Sequence, residues 1–465
     1  MTFHRRRRMR VLLLLFAIAV ALAGASCRRA ISDQEKQTRA ELRQALREHA
    51  FEKAEELARR LVDVHPHENG GWERLVHAQL GRRDFATAKQ SVAHWRSSVR
   101  KPSAKLEEFA GDISAEVQDS VGALRAWQRA LIANPKQTRL LRKVARVQNA
   151  EHRWADAADA LTALLALAEN GEDRMARALC FRRLRRWPEA LDDFRRAQEL
   201  APDDPDVRRG VKLFERLSKF LGEIRELDAR IAITPTDDQL LADRALLFLR
   251  GEDSELALED AEAAARIAPW AMRPRIFQAV ALLQLGRGSE TEKLHVDPGL
   301  RLDALSSEFL QSMGRLDSDI SVERSNAELY VARAWQLNDA GQPTLALEDT
   351  AAALRFHPNS AGAHAESAYA LAKLGRGDEA FERVKRATEL DQNFSTAWHY
   401  RGELEMARGD FVAAVDSLTR ALAINQTPAA LEKREACYRH IGLFAKAEED
   451  HRAWETLNAH TSTSQ

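Results

Sequence analysis

"STAWHYRGELEMARGDFVAAVDSLTRALAIN" occupies residues 395–425, and two apolar-periodic halves meet in it at "ARGDF". Either it is one helical hairpin of a globular enzyme, or it is one copy of something repeated along the chain. With Ser395 as position 1, Trp398 falls at position 4, Gly402 at 8, Gly409 at 15, Phe411 at 17, Ala414 at 20, Leu418 at 24 and Ala421 at 27. Small residues stand where two helices must approach, and larger apolar ones stand beside them. The position-20 alanine recurs at Ala380 and Ala346, each 34 residues before the next. Nearer the N-terminus it falls at Ala54, Ala88, Ala123, Ala157 and Ala190, with steps of 34, 35, 34 and 33. Ala257 follows after 67 residues, which is two units with a degenerate copy between them. Pro66, Pro135, Pro202, Pro269 and Pro358 all take position 32. Proline lacks the N–H that a continuing helix needs, so these are helix stops.

A period of 34 carrying W-x2-L-G-x2-Y, then A-x3-F, A and P resembles the tetratricopeptide repeat. The resemblance lies in "WHYRGELE" (Trp398, Gly402), "WERLVHAQ" (Trp72, Leu75), "ALDDFRRAQELAP" (Ala190, Phe194, Ala197, Pro202) and "ALRAWQRALIANP" (Ala123, Trp127, Ala130, Pro135). Arg401 stands in place of the leucine and Glu405 in place of the tyrosine in the best copy. The resemblance covers roughly residues 35–457 and implies an all-α chain, a right-handed α-solenoid of about 10–12 repeat-sized units. Each unit would be two antiparallel helices, with the first helix of each pair lining the inner surface. Positions 20, 24 and 27 then form one packing stripe on the second helix. Trp398, Trp127, Trp154, Trp187 and Phe411 are expected in the core.

The anchors fail over residues 286–324, "GRGSETEKLHVDPGLRLDALSSEFLQSMGRLDSDISVER", because Ala257 and Ala346 are 89 residues apart. Either two units are distorted there or one carries an insertion, and "LDALSSEFLQSMG" predicts helical pieces. The expected organisation is a signal peptide at 1–26, a lipid-attachment residue with a short spacer at 27–34, and a first repeat block at 35–285. An irregular helical insertion or degenerate repeats at 286–326 and a second block with tail at 327–465 complete it.

The 465 residues include 70 Lys+Arg and 70 Asp+Glu and are 45% hydrophobic, so the chain folds but exerts no global pull on nucleic acid or anionic lipid. "MTFHRRRRMR", with five arginines, precedes the uncharged "VLLLLFAIAVALAGAS" and Cys27, the order of an export signal. As a helix, the apolar run 11–23 would be about 20 Å long, short for a hydrocarbon layer of about 30 Å. "AGASC" resembles a bacterial lipoprotein signal in which Cys27 is lipidated, although Gly24 stands where leucine is usual. The resemblance implies a membrane-attached lipoprotein facing the periplasm or exterior; cleavage after Ala23 or Ala25 would give a soluble periplasmic or secreted protein, and an uncleaved anchor is a third course. Arg28 stands where lipoproteins kept in the inner membrane often have aspartate, so the resemblance leans to the outer membrane if the organism has one. Cys180 and Cys437 make no disulfide framework and are expected to be small buried hydrophobes.

No catalytic, cofactor or metal site is expected. "VHPHE" (His65, His67, Glu68) has no further ligand nearby, and the carboxylate pairs Asp192/Asp193 and Asp203/Asp204 read as solvated surface. "GRGDEA" (375–380) and "LGRGSE" (285–290) are inter-helix turns without the lysine of a phosphate loop. In tetratricopeptide repeats, peptide contacts come mainly from first-helix positions 2, 5, 9 and 12. Positions 5 and 9 here are Glu73/His77, Arg142/Arg146, Met175/Leu179, Ala242/Leu246, Val331/Trp335, Ala365/Tyr369 and His399/Glu403, none of them the Lys/Asn pair that clamps a chaperone tail. The face divides into a basic set, Arg139, Arg142, Arg146 and Arg182, and an aromatic and soft apolar set, Trp335, Tyr369, His399 and Met406. The expected function is a non-enzymatic adaptor or scaffold on the extracytoplasmic side of a bacterial envelope. It would bind a protein or peptide through the concave surface, with no nucleic acid and no small-molecule substrate. The alternatives are a hydrolase-type enzyme with a pocket near 286–324, or an assembly or secretion accessory factor without a peptide groove.

Overall fold

The computed structural model describes residues 33–297 and 300–462. They are all-α, with no strand among them, and the chain divides between Val211 and Lys212 into two compact units. The first unit stacks five antiparallel pairs: α1 (Asp33–Arg47) with α2 (Phe51–Val64), α3 (Asn69–Gly81) with α4 (Phe85–Ser98), α5 (Ala104–Glu116) with α6 (Ser120–Ala133), α7 (Thr138–Ala150) with α8 (Trp154–Leu165), and α9 (Gly171–Arg183) with α10 (Trp187–Leu200). Helix α11 (Pro205–Ser218) crosses the division. The second unit continues with α12 (Leu221–Ile233), then α13 (Asp238–Arg250) with α14 (Ser254–Ile267), α15 (Met272–Gln284) with α16 (Ser307–Val322), and α17 (Ala327–Asp339) with α18 (Pro343–Phe356). It ends with α19 (Ala361–Lys373) and α20 (Gly377–Leu390), α21 (Ser395–Ala407) and α22 (Phe411–Ile424), and α23 (Pro428–His440) and α24 (Phe444–Ser462). Among the described residues no helix is long and apolar enough to cross a membrane. Cys27 and the export segment lie outside the described residues.

The "ARGDF" junction is a hairpin turn. Gly409 takes φ +81°, and Asp410 caps α22 by accepting the Ala413 N–H at 3.1 Å. The same left-handed turn recurs at His49, Arg83, Gln118, His152, Arg185 and Glu252, then at Gly286, Gly341, Gly375, Gly409 and Gly442. The position-20 alanines from Ala54 to Ala414 are fully buried, as are Leu418 and Ala421 along the stripe. In the degenerate copy Ile224, also fully buried, replaces the alanine. Trp127, Trp187 and Trp398 are buried as expected; Trp154 and Phe411 are only half-buried, Trp154 beneath the Arg183 guanidinium and Phe411 stacked on His440. Position 4 also closes the preceding loop, since the indoles of Trp72 and Trp398 donate to the carbonyls of Pro66 and Gln392. Cys180 and Cys437 are buried and free, and burial pushes each thiol up to about 11.

Arg401, at the leucine position, belongs to a series. Arg177, Arg244, Arg333 and Arg434 occupy the same place, and each forms two hydrogen bonds to an aspartate 16 residues on, in the second helix of its pair: Asp193, Asp260, Asp349 and Asp450. Their third nitrogen reaches back to the helix before the pair, to Thr162, Asp228, Asp317 and Thr419 respectively. A buried charge is tolerable only when paired and hydrogen-bonded, so one guanidinium ties three helices. Arg401 makes a weaker version with Glu405 and Thr388, and Glu405 in turn accepts from Ser417.

The irregular stretch is an insertion within one pair. The turn at Gly286 forms normally, but 3-10 turns (Gly288–Leu294 and Leu302–Ala304) follow it where a second helix should begin. Helix α16 then takes the second helix's place: Asp317 accepts the N–H groups of Met272 and Arg273 at the start of α15 and pairs with Arg333 of α17. The inserted segment is tied down on α18, where Asp297 accepts the Thr344 N–H (3.0 Å) and hydroxyl (2.6 Å). His295 lies 2.6 Å from Glu348, which also receives Arg275 at 2.7 and 2.8 Å.

Candidate first-helix binding surface

The basic set is split by the fold. Arg139 and Arg146 are exposed on α7 and make no hydrogen bond or ion pair among the described residues. Arg142, between them in sequence, is committed to Asp173 of α9 through bonds of 2.8 and 2.6 Å. Arg182 is 5% exposed near the end of α9, within the packing. Arg139 and Arg146 instead share a cleft of about 440 Å³ with Lys143 and Arg83. Lys143 is held by both oxygens of Asp112 at 2.7 and 2.8 Å, and the Trp127 indole donates to the same carboxylate at 3.0 Å. Nearby, burial holds His77 below its ordinary pKa, and the positive charges of Lys105, Arg139 and His49 press it further down.

The aromatic set is also divided. Trp335 is 53% exposed on α17, whereas Met406 packs against the core around Ala414 and Leu418. Tyr369 and His399 come together through Tyr400, with ring centroids 4.9 Å and 6.0 Å from it respectively. Burial lowers the pKa of His399; Glu403 opposes this and Lys433 adds to it. Behind these rings lies buried Glu366, which accepts the Asn338 side-chain N–H at 2.9 Å and the Tyr400 hydroxyl at 3.4 Å. Burial pushes the Glu366 carboxyl up to about 7, against the two hydrogen bonds, and also raises the Tyr400 phenol. Position-based reasoning missed Glu366, Asn338 and Tyr400 because they fall outside positions 5 and 9. A signal existed: Glu366 is the one acidic residue in "AGAHAESAYALAK".

Near residues 286–324 a cleft of about 930 Å³ lies where Leu300–Asp303 faces α15 and the α13–α14 turn. Several of its polar groups are already engaged: Arg301 grips Asp303, the Ser254 hydroxyl donates to Gln284, and Glu252 pairs with Arg216 outside the lining. It contains no histidine or cysteine. Among the described residues no group of three His, Cys, Asp or Glu side chains is placed to hold a metal. His65 lies against Glu35 and Glu68, and His67 against the Ser98 carbonyl.

Comparison with family models and with curated proteins finds no match. Among solved structures, MamA matches at 17% identity over 32% of this chain and 87% of its own, with a TM-score of 0.28. The Naa15/Naa10 complex bound to HypK-THB matches at 14% identity over 90% and 68%, with a TM-score of 0.33. The APC/C hetero-tetramer Cut9-Hcn1 matches at 12% identity over 91% and 94%, with a TM-score of 0.28. The chain's likeness to tetratricopeptide repeats rests on its own 34-residue period and paired helices.

Proposed function

We propose that this chain is a non-enzymatic adaptor that binds a partner protein through the first-helix face of its repeats. One observation carries the reading: this face presents groups whose interactions the fold leaves incomplete, namely the guanidinium groups of Arg139 and Arg146 and the half-exposed indole of Trp335. On α7 itself Arg142 and Lys143 are already held by Asp173 and Asp112, so Arg139 and Arg146 are the cations that this helix leaves for a partner. The reading places the chain outside the cytoplasm, held at a membrane by lipid on Cys27, with a soluble exported form as the alternative.

The test is capture of envelope proteins by the full chain, read by mass spectrometry. Arg139→Glu with Arg146→Glu, and Trp335→Ala with Tyr369→Ala, should each reduce capture of a specific partner while helicity stays constant. Arg142 is a poorer choice for charge reversal, because its loss would leave Asp173 buried and unpaired. Capture unchanged by both pairs would move binding off this face. Labelling with a fatty-acid analogue should mark the wild type and not Cys27→Ser; equal labelling would remove the lipid.

A further inference from the structure

Several exposed arginines in this chain are neutralised within one helical turn: Arg59 by Glu55, Arg60 by Glu56, Arg186 by Glu189, Arg376 by Glu379 and Arg439 by Glu435. On helix α7 the cations instead stand beside one another. Arg139, Lys143 and Arg146 follow one another at spacings of four and three, which puts three positive charges on one stripe, and like charges so placed destabilise a helix. Only Lys143 is compensated, by Asp112, and that carboxylate is already shared with Trp127. Across the cleft, Arg83 stands in the left-handed turn before Phe85, also without an ion pair among the described residues. Three guanidinium groups and one ammonium thus face only Asp112 and exposed Glu116.

Between the charges the cleft is apolar, with Leu80, Phe85 and Val147 in its wall. Lys105 of α5, Arg139 of α7 and His49 of the α1–α2 turn all act to lower the pKa of His77 on α3, in line with the positive charge around the cleft. Arg139 and Arg146 are seven residues apart, about 10 Å along the helix. A peptide in the polyproline II conformation advances about 3.1 Å per residue and returns to the same side every third residue, so carboxylates three residues apart share one face and span about 9 Å.

We infer that the cleft between α3, α5 and α7 binds an extended acidic peptide segment of a partner protein, with carboxylates about three residues apart meeting Arg139 and Arg146 and an apolar side chain between them meeting Leu80 and Phe85. This rests on the adaptor reading and specifies the chemistry of its partner. A protein segment fits better than a nucleic acid, because the apolar wall needs an aliphatic or aromatic side chain between the anions and the charged stripe is only one helix long. Arginine suits the role, since its planar fork holds a carboxylate through two bonds.

Fluorescence anisotropy on the full chain tests it, using a labelled glutamate-rich peptide of about twelve residues with one central phenylalanine. The probe should bind with an affinity that falls as salt rises, and its glutamine counterpart should bind at least about tenfold more weakly, a difference of about 1.4 kcal/mol. Arg139→Glu with Arg146→Glu should cost at least a similar factor, as should Arg83→Glu alone, which lies outside the helix and leaves α7 untouched. No binding of the acidic probe, equal binding of the glutamine probe, or affinity unchanged by the reversals overturns the inference, as does tighter binding of single-stranded oligothymidylate at matched charge. If the acidic probe fails while partner capture still depends on Trp335, the adaptor reading stands and this inference falls. If the probe binds through the arginines while no partner is captured, the acidic-peptide cleft stands and the adaptor reading falls.

Discussion

Arg333 grips Asp349 through two parallel hydrogen bonds of 2.7 Å, Nε to Oδ2 and Nη2 to Oδ1, with both side chains 2% exposed. A third bond of 2.6 Å runs from Nη1 to Asp317, so one guanidinium faces two buried carboxylates. Burial opposes the charge on Arg333, but the facing carboxylates outweigh it and raise its pKa. Arg333→Leu restores the residue that the repeat pattern favours at this position, yet it strands two carboxylates. It should destabilise the second unit by about 3–5 kcal/mol, read as a lowered urea midpoint. An unaltered midpoint would show that the pair contributes nothing.

Glu366 makes stability fall as pH rises. Its carboxyl titrates at about 7 in the folded chain against about 4.5 unfolded, so the stabilising neutral form is fully present below pH 4.5 and is lost as pH climbs through 7. Over that window the change is about 3 kcal/mol. Glu366→Gln keeps an acceptor for Asn338 and removes the titration. The variant should gain on the wild type between pH 5 and pH 8.5 in urea unfolding, and parallel pH profiles for the two proteins contradict the assignment.

The hairpin turns offer a matched pair. Gln118 takes φ +61° with a β-carbon, whereas Gly409 takes φ +81° without one. The left-handed region costs an L-residue about 1–2 kcal/mol. Gln118→Gly should therefore raise the thermal midpoint, by less than the full cost because glycine loosens the unfolded chain, and Gly409→Ala should lower it. Shifts of the same sign in both variants would mean that another contact governs these turns.

Asp297 accepts both the backbone N–H and the hydroxyl of Thr344 at the start of α18, whose own N-cap residue, Gln342, provides no side-chain cap. Asp297→Ala should cost about 1 kcal/mol and raise amide exchange at Thr344 and in the following turn. Unchanged exchange there would mean that the insertion is not needed to seal the helix.

The period, the paired helices and the alanine stripe were legible because each of them repeats. Arg401 was visible only as a departure from a leucine; its meaning lies in partners 16 residues on, a spacing that links two helices and leaves no trace in either helix alone. Arg139, Arg146 and Trp335 could be placed because exposure on a first helix follows from position. Arg142 and Arg182 could not: Asp173 lies 31 residues from Arg142, and Arg182 is enclosed by packing that local sequence does not reveal. Met406 looked like groove surface but turns into the core beside Leu418. In the irregular stretch the repeat spacing returns only at Asp317, whose 16-residue distance from Arg333 equals that of Asp228 from Arg244.

That insertion has a wider consequence. From Gly286 to Gly341 the turns are 55 residues apart, yet from Gly341 onward they resume steps of 34, 34 and 33. Such an array keeps time by the docking of each hairpin on the last, not by counting residues, so added length at a point where the path leaves and rejoins the stack shifts nothing downstream. The seam after Gly286 is therefore a socket: the inserted strap could be exchanged for another small module, or cut back to an ordinary turn, with the later repeats still finding their neighbours.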